Sequence, residues 1–504
     1  MNIQQVEIKL PDGYISDQVT RTYFQQPFGA AFASFDPQSL LVNCVPPAVK
    51  NISTEGSIEV DEYHQHLRKR ISSAVSPEEQ LQILLEDSAW SHEIQHFHDC
   101  VCTASGIHAF VDEWEYVSEI YGGLKSLRIK GWTGESALWI EGQDNPDVKA
   151  VFAIYCSMII FHLMMNGDFP TLEVPEELAD YDVAWGNGTV GGSKVRIPFF
   201  PSRVTVNGSP ACLLIPIGFR AITECRSVQT QNMILRSLGQ EYVTAFLKLL
   251  GPHLEYRVVN LLITRLAKKN GLNPHEGDWG DALFRVCGAA LCKAWGAGLE
   301  RTPGVALIDV LSELPADQVL NGSFLDQNLL LAKAASERFD FPPAPDSWAG
   351  YQIRDFAIDS FRRSIEIYES AGRDPFPPDS LSWYSVLGTT LPQPLASLQG
   401  VHVGFSFTAG ETKVLRHLAI VSAWVLLRCL IEQVMFDNKI VCPTLEGPYS
   451  RLLQFMKIHP CCAKGVVEGG CGRFKIGDDL SMHPTCAFRH IVTDIGLAKG
   501  PFQP

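Results

Sequence analysis

Two histidines and a glutamate at positions 92–96 form the pattern in this sequence with the clearest capacity for chemistry. His92 and His96 are four residues apart, and Glu93 directly follows the first histidine. Residues four apart on an α-helix lie on the same face, close enough for both imidazoles to reach one metal ion. A carboxylate beside that ion can take a proton from water. The spacing predicts a metal-binding helix with Glu93 as general base; two surface histidines on an amphipathic helix are the alternative.

A clearly delimited helix carries this pattern. Ser76, Pro77 and Glu79 supply an N-cap serine, a proline at the first helical position and the glutamate of a capping box. Apolar residues then recur close to the helical period, at Leu81, Leu84, Leu85, Ala89, Ile94 and Phe97. We therefore expect a continuous helix from this cap to about Thr103.

The pattern of His92, Glu93 and His96 resembles the His-Glu-x-x-His signature of the zincin metallopeptidases. By that resemblance, the two histidines are zinc ligands and Glu93 is the general base in the hydrolysis of peptide bonds. The resemblance covers this helix and one candidate ligand helix. It implies a zincin-like catalytic core, one catalytic Zn²⁺ and a peptide or protein substrate.

A catalytic zinc site needs a third protein ligand and leaves its fourth position to water. The metzincin pattern has glycine at the position of Asp99 and histidine or aspartate at the position of Cys102, so that subclass is disfavoured. The aminopeptidase-like gluzincins place a glutamate eighteen intervening residues after the second histidine, where this chain has Glu115. Acidic neighbours of Glu115 indicate an exposed helix face.

Glu224 is the favoured third ligand. A buried carboxylate is costly unless it is paired or binds a metal, and apolar neighbours predict that this one is buried: Ala221, Ile222, Cys225 and Val228. Its context also resembles the ligand helix of some bacterial zincin-like proteins with a long spacer. Glu115 remains the alternative ligand, and an ion pair with Arg220 or Arg226 is the structural interpretation of Glu224.

Two further residues, Asp99 and His98, lie near the motif. Asp99 lies one turn after His96, where a carboxylate can orient a ligand imidazole, or it is an ordinary polar residue near a helix end. His98 is predicted to point away from the face shared by His92 and His96 and is not assigned as a ligand.

The C-terminal region contains a second group of residues able to bind metal. Cysteines and histidines of this type can build a closed structural zinc site. The spacing is irregular and lacks a Cys-x-x-Cys pair, so free buried cysteines are favoured over a second, structural zinc ion. The group consists of Cys442, His459, Cys461, Cys462, Cys471, His483 and Cys486.

Hydrophobic periodicity predicts a mainly helical protein with a minor β component, an α+β fold. We expect an N-terminal α/β segment at 1–75, a zincin-like metal-binding domain at 76–340 and a helical, cysteine-containing region at 341–504. Frequent Gly, Pro and Asn at 166–212 predict a β-rich insertion in the central domain, with short strands at 194–200 and 203–208.

Composition limits the class of protein. Hydrophobic residues make up 46% and charged residues 19% of 504 residues, which excludes a disordered chain. A net charge of -15 argues against a nucleic-acid partner. The N-terminus shows no signal peptide, and the apolar run Val151–Met165 is too short for a membrane span. With 14 cysteines, these features predict a cytoplasmic protein with reduced thiols and no membrane partner.

The sequence as a whole favours a zinc-dependent metallopeptidase with ligands His92, His96 and Glu224 and general base Glu93. Two alternatives remain open at this point. One is a non-catalytic, metal-stabilised binding or scaffold protein, since a helical C-terminal region suits a protein partner. The other is a zinc hydrolase that acts on small molecules.

Overall fold

The computed structural model describes most of the chain between residues 68 and 313, together with shorter segments on either side. The described residues are 1, 3–7, 33–36, 41–44, 68–101, 103–134, 136–169, 171–190, 193–206, 208–251, 253–269, 271, 279–293, 302–313, 395–398, 401–404, 426–437, 439–443, 473–475 and 487–497.

Helices dominate the described part of the chain. Short 3₁₀ helices at Glu176–Asp180 and Leu254–Tyr256 accompany them. A helical stretch at 68–73 comes first. The α-helices after it are α1 (Pro77–Val101), α2 (Ala104–Ile129), α3 (Leu138–Glu141), α4 (Pro146–Asn166), α5 (Phe219–Leu238), α6 (Gln240–Leu249), α7 (Val258–Lys269), α8 (Trp279–Lys293), α9 (Pro303–Glu313), α10 (426–436) and α11 (Ala487–Ile495).

The strands belong to three sheets. They are β1 (Ile3–Glu7), β2 (Ala33–Asp36), β3 (Leu41–Cys44), β4 (Leu172–Val174), β5 (Val183–Val190), β6 (Ser193–Val206), β7 (Ser209–Pro216), β8 (Leu395–Leu398), β9 (Val401–Gly404), β10 (Lys439–Val441) and β11 (Arg473–Lys475). The prediction of a mainly helical protein with a minor β component is therefore confirmed.

The largest sheet has the strand order β1-β5-β6-β7-β4. Only the β1–β5 pair is parallel, with Ile3 opposite Val183, and the other neighbours are antiparallel. The other sheets have the orders β2-β3-β8-β9 and β10-β11. The first strand of the expected N-terminal segment thus completes a sheet whose other strands lie in the expected central domain.

Several predicted elements differ in detail from the structure. The prediction of two short strands at 194–200 and 203–208 is wrong, because β6 (Ser193–Val206) is one continuous strand. The C-terminal region also contains strands, β8 to β11, besides its described helices. Hydrophobic periodicity in the sequence also predicts helices at 326–338, 350–371 and 411–436. The first two, and the first part of the third, lie outside the described residues.

The cap of α1 forms as its sequence predicts. Ser76 Oγ accepts a hydrogen bond from the backbone N–H of Glu79 at 3.1 Å. The Glu79 carboxylate in turn accepts from the backbone N–H of Val75 at 2.8 Å, one residue earlier than in an ideal capping box. These bonds satisfy N–H groups at the helix start that have no partner inside the helix.

A sharp corner separates α1 from α2. Thr103 caps α2 by accepting a hydrogen bond from Gly106 N at 3.1 Å. A Cβ atom at Gly106 would lie 2.1 Å from the backbone oxygen of Asp99 and 2.5 Å from Cys100 Cα. Only glycine therefore lets the first turn of α2 pass this close to the last turn of α1.

The sheet leads directly into α5. Strand β7 ends at Pro216, and Gly218 occupies the N-cap position of α5. A Cβ atom at Gly218 would lie 2.4 Å from the backbone oxygen of Asn166, at the end of α4. The neighbouring Gly167 has a φ of +71°. This close crossing of two glycine-containing backbones determines where α5 begins.

One hydrophobic core joins the sheet and the helices. Trp185, Phe200 and Ile215 point from one face of the sheet into it, while Phe199 and Leu214 point from the opposite face into a smaller cluster. Residues of α10 and α11 belong to the larger core, so described elements on both sides of the expected boundary near 340 pack together.

Helix α4 is the one described helix long and apolar enough to span a membrane. It has 21 residues, a mean hydropathy of 1.9 in its most apolar window, and half of that window is buried within the protein. It is thus longer than the apolar run noted in the sequence. Length and composition of this kind are shared by core helices and membrane spans.

Candidate metal centre

Helix α1 presents the two histidines on one face. The ring centroids of His92 and His96 are 4.8 Å apart, with an angle of 74° between the ring planes. Their side chains are 10% and 13% exposed, so both rings are largely withdrawn from solvent. The expected convergence of these rings is what the structure shows.

Helix α5 brings a carboxylate to the same point. Glu224 Oε2 lies 3.0 Å from His92 Nε2 and 3.4 Å from His96 Nε2. One ligand atom from each residue lies within 4.8 Å of the other two. The three side chains form a group that can hold a metal ion. His92 and Glu224, which are hydrogen-bonded, are 132 positions apart in the sequence.

The donor set fits a transition-metal site with an open position. Bonds of about 2.0–2.1 Å to a tetrahedral zinc ion place neighbouring ligand atoms about 3.3 Å apart. The two distances from Glu224 to the histidines, 3.0 and 3.4 Å, lie close to that value. Two imidazole nitrogens and one carboxylate oxygen also match the ligand types of catalytic zinc sites.

Electrostatics bind the three groups to each other in the absence of a metal. Burial alone lowers the pKa of His96, but the charge and hydrogen bond of Glu224 outweigh it and raise that pKa from 6.5 to about 9. Burial alone raises the pKa of Glu224, yet the two histidines hold it well below its usual range. In the metal-free protein, a proton on His96 therefore supplies the positive charge beside Glu224 that a bound metal ion would supply.

Neither arginine expected as an alternative partner contacts Glu224. Arg220 lies 3.8 Å from Asp168, and Arg226 donates a hydrogen bond to Asp99 at 2.7 Å. Among the described residues, the ion-pair contacts of Glu224 are to the two histidines. The structural interpretation of Glu224 as half of an arginine pair is wrong.

Glu115, the alternative third ligand, lies on the exposed side of α2 and outside the His/His/Glu group. Glu115 itself therefore has the exposed setting that its sequence indicates, whereas the nearby Glu113 is buried. Its spacing from the motif matches a short-spacer gluzincin, but spacing alone does not bring α2 and its carboxylate to the histidines. The structure brings Glu224, not Glu115, to the two histidines.

Glu93 is partly buried beside the ligand residues. Its charge is one of those that raise the pKa of His96, which places the carboxylate near that imidazole. It does not belong to the His/His/Glu group. A nearby carboxylate that does not ligate the ion is the arrangement expected for a general base.

Asp99, a candidate for orienting a ligand imidazole, hydrogen-bonds to Arg226 of α5. Its Oδ1 accepts hydrogen bonds from Arg226 Nη1 at 2.7 Å and from Gln95 Nε2 at 2.9 Å. Burial raises its pKa, and the charge of Arg226 opposes that rise. His98 is also buried, with its ring 5.6 Å from Phe97.

Tyr256 is a neighbour of the site that the sequence analysis did not identify. Its ring centroid lies 6.1 Å from that of His92 in an edge-on arrangement, and the same distance from His253. The 3₁₀ helix Leu254–Tyr256, just before α7, positions it. The proline after Gly251 marks an interruption there, yet nothing local indicates which side chain faces the histidines.

The C-terminal group of cysteines and histidines lies mostly outside the described residues. Cys442 is described, and it is buried. The other members are His459, Cys461, Cys462, Cys471, His483 and Cys486. Of the cysteines described elsewhere, Cys156, Cys212, Cys225 and Cys287 are free thiols, and Cys100 and Cys429 are buried.

Comparison with known proteins adds no relative. Scans against family models, curated proteins and solved structures each found no match. The functional argument therefore depends on the geometry of the site and the chemistry of its residues.

Proposed function

We propose that the protein is a zinc-dependent hydrolase of the metallopeptidase type, with zinc held by His92, His96 and Glu224. The observation that carries this proposal is the contact of one carboxylate oxygen with two imidazole nitrogens at 3.0 and 3.4 Å. The three residues come from two separate helices and are mostly buried, where an uncompensated carboxylate is costly.

Each residue of the site has a separate role in peptide hydrolysis. Zinc bound by three such ligands acts as a Lewis acid and lowers the pKa of water toward 7. Neutral His92 and His96 orient the open position, and Glu224 neutralises part of the positive charge. Glu93 takes the proton of the attacking water and returns it to the leaving amine when the C–N bond breaks.

Peptide bonds are the proposed substrate because of the His-Glu-x-x-His pattern. The same donor set also suits a small-molecule hydrolase or a metal-stabilised scaffold. These three functions differ in what Glu93 does. In a scaffold it has no reaction to catalyse, whereas in either hydrolase its loss removes turnover.

The test is hydrolysis of a broad peptide library by the full-length protein, loaded with zinc and followed by mass spectrometry. Glu93→Gln should retain one zinc per chain and lose about 10²–10⁴-fold in rate. Glu115→Gln, an exposed change on α2, is the matched control and should retain full activity.

Two results would oppose this function. Zinc binding without cleavage of any peptide would favour the scaffold or the small-molecule hydrolase. Cleavage that survives Glu93→Gln would show that another group activates water.

A further inference from the structure

A buried ion pair joins the two helices that carry the candidate ligands. Asp99 lies three residues after His96 on α1, and Arg226 lies two residues after Glu224 on α5. Arg226 Nη1 donates to Asp99 Oδ1 at 2.7 Å, and the side chains are 2% and 0% exposed. The pair therefore crosses the same helix interface as the metal centre, less than one turn from it along each chain segment.

Further polar contacts continue along this interface away from the site. Gln95 Nε2 donates to Asp99 Oδ1 at 2.9 Å, and Thr230 Oγ1 donates to Gln95 Oε1 at 3.2 Å. Gln231 Nε2 donates to Ser88 Oγ at 2.7 Å. All of these bonds are buried, where water cannot substitute for a misplaced partner.

Directional bonds of this kind determine the register of two helices more strictly than apolar contacts do. One residue of axial slip moves a helix by about 1.5 Å. A slip of that size would separate Glu224 from histidines that lie 3.0 and 3.4 Å from it. It would also break the shorter bond between Arg226 and Asp99.

A third helix holds the arginine in place. The guanidinium carbon of Arg226 lies 4.2 Å from the ring centroid of Phe284 on α8. The planar guanidinium is thereby stacked on an aromatic face while its edge donates to Asp99. The position of Arg226 thus depends on residues outside the metal centre.

Stability alone does not account for such a pair. Desolvation of two charges offsets most of their attraction, and apolar residues of similar volume often serve a fold equally well. A buried pair placed between two ligand helices has a second effect, since it orients those helices relative to each other.

We infer that Asp99 and Arg226 are positioning residues, which set the register of α1 and α5 so that His92, His96 and Glu224 converge on one metal ion. This inference rests on the metal site of the proposed function but not on hydrolysis. Neither residue is expected to touch the metal or the substrate.

A second buried pair provides a matched control. Arg428 Nε lies 3.2 Å from Glu113 Oε1, and these side chains are 2% and 5% exposed. The pair joins α10 to α2 and involves neither ligand helix. Arg226→Met and Arg428→Met therefore remove the same group from similarly buried surroundings.

The experiment measures Co²⁺ and Zn²⁺ affinity, the visible spectrum of bound Co²⁺, and the thermal midpoint of unfolding for full-length protein. Both arginine variants should unfold at lower temperature than wild type. Only Arg226→Met should weaken metal binding, by about 10–100-fold, the range seen when residues supporting ligands are lost. It alone should change the Co²⁺ band, and Arg226→Lys should recover part of both effects.

Asp99→Asn serves if Arg226→Met fails to fold, because asparagine keeps the size and one acceptor oxygen. It should shift the Co²⁺ band in the same direction. Unchanged affinity and spectrum in the folded Arg226 or Asp99 variants, or equal losses in Arg428→Met, would overturn the inference.

The outcome for wild type separates this inference from the proposed function. Wild-type protein that binds no metal would overturn both. Wild-type protein that binds metal and hydrolyses nothing would overturn only the hydrolase, and the spectra would still decide the role of the pair.

Discussion

Two buried clusters of this protein place a histidine against a glutamate, and they differ in the charges around that contact. At the candidate metal centre, Glu224 faces His92 and His96. In the second cluster, Glu113 lies 3.3 Å from His162 and 3.2 Å from Arg428.

The pKa values of the two histidine partners move in opposite directions. Glu224 raises the pKa of His96 to about 9 against the effect of burial. Burial lowers the pKa of His162, and the charge of Arg428 adds to that lowering while Glu113 opposes it. A permanently charged arginine satisfies Glu113, so His162 need not carry a proton. The negative charge of Glu224 is instead compensated by a proton on a histidine or by a metal ion.

This comparison shows what separates a structural contact from a candidate site. The residue types and the distances are similar in the two clusters. The arginine is the difference, because its charge cannot be removed at accessible pH. Where no arginine compensates the glutamate, the proton on the histidine can be replaced by a metal ion. A metal-binding site requires this replacement, because its ligands must lose their protons.

The largest expected difference concerns the loss of each carboxylate. Glu113→Ala leaves the buried Arg428 charged and weakly compensated, and it should lower the free energy of unfolding by about 3–5 kcal/mol. Glu224→Ala in metal-free protein at pH 8 should cost about 1–2 kcal/mol, because His96 can lose its proton. Urea unfolding of both variants without metal measures the difference. Equal losses would contradict the distinction between the clusters.

A smaller difference should appear in the pH dependence of metal-free stability. The folded pKa of His96 is raised, so its contribution is complete below pH 6.5 and is lost as pH rises toward 9. That of Glu224 is lowered, so the same interaction is lost as pH falls below 4.5. The pair should therefore stabilise the metal-free protein most, relative to His96→Gln, between pH 4.5 and 6.5.

His162 should show the opposite sign. Its folded pKa is lowered below 6.5, so the folded protein binds fewer protons and gains stability as pH rises toward that value. The stability difference between wild type and His162→Gln should thus grow as pH rises toward 6.5. The difference between wild type and His96→Gln should instead shrink as pH rises from 6.5 toward 9. Unfolding curves at several pH values measure both, and parallel behaviour of the two variants would contradict the assignment.

Much of the candidate site follows from local patterns in the sequence. The cap at Ser76 and the apolar period place His92 and His96 on one helix face, which the structure shows. The apolar neighbours of Glu224 indicated burial, and burial made it preferable to Glu115. These inferences need only the helical period and the cost of burying a charge.

The long-range contacts could not be predicted in this way. The pairing of Asp99 with Arg226 depends on how α1 crosses α5, and no local period determines that crossing. The parallel pairing of β1 with β5 likewise joins segments far apart in the chain. The break expected between two strands is absent from β6, because Pro201 is accommodated within a continuous strand.

Equilibrium zinc binding to metal-free, full-length protein tests the central claim most directly. Wild type should bind one ion per chain with a saturable isotherm. Glu224→Ala should lower the affinity by at least about 100-fold, equivalent to losing about 2.7 kcal/mol of binding free energy, while Glu115→Ala should leave it unchanged. Wild type without stoichiometric binding, or loss of affinity in Glu115→Ala with Glu224→Ala unaffected, would contradict the assignment of His92, His96 and Glu224 as the metal ligands.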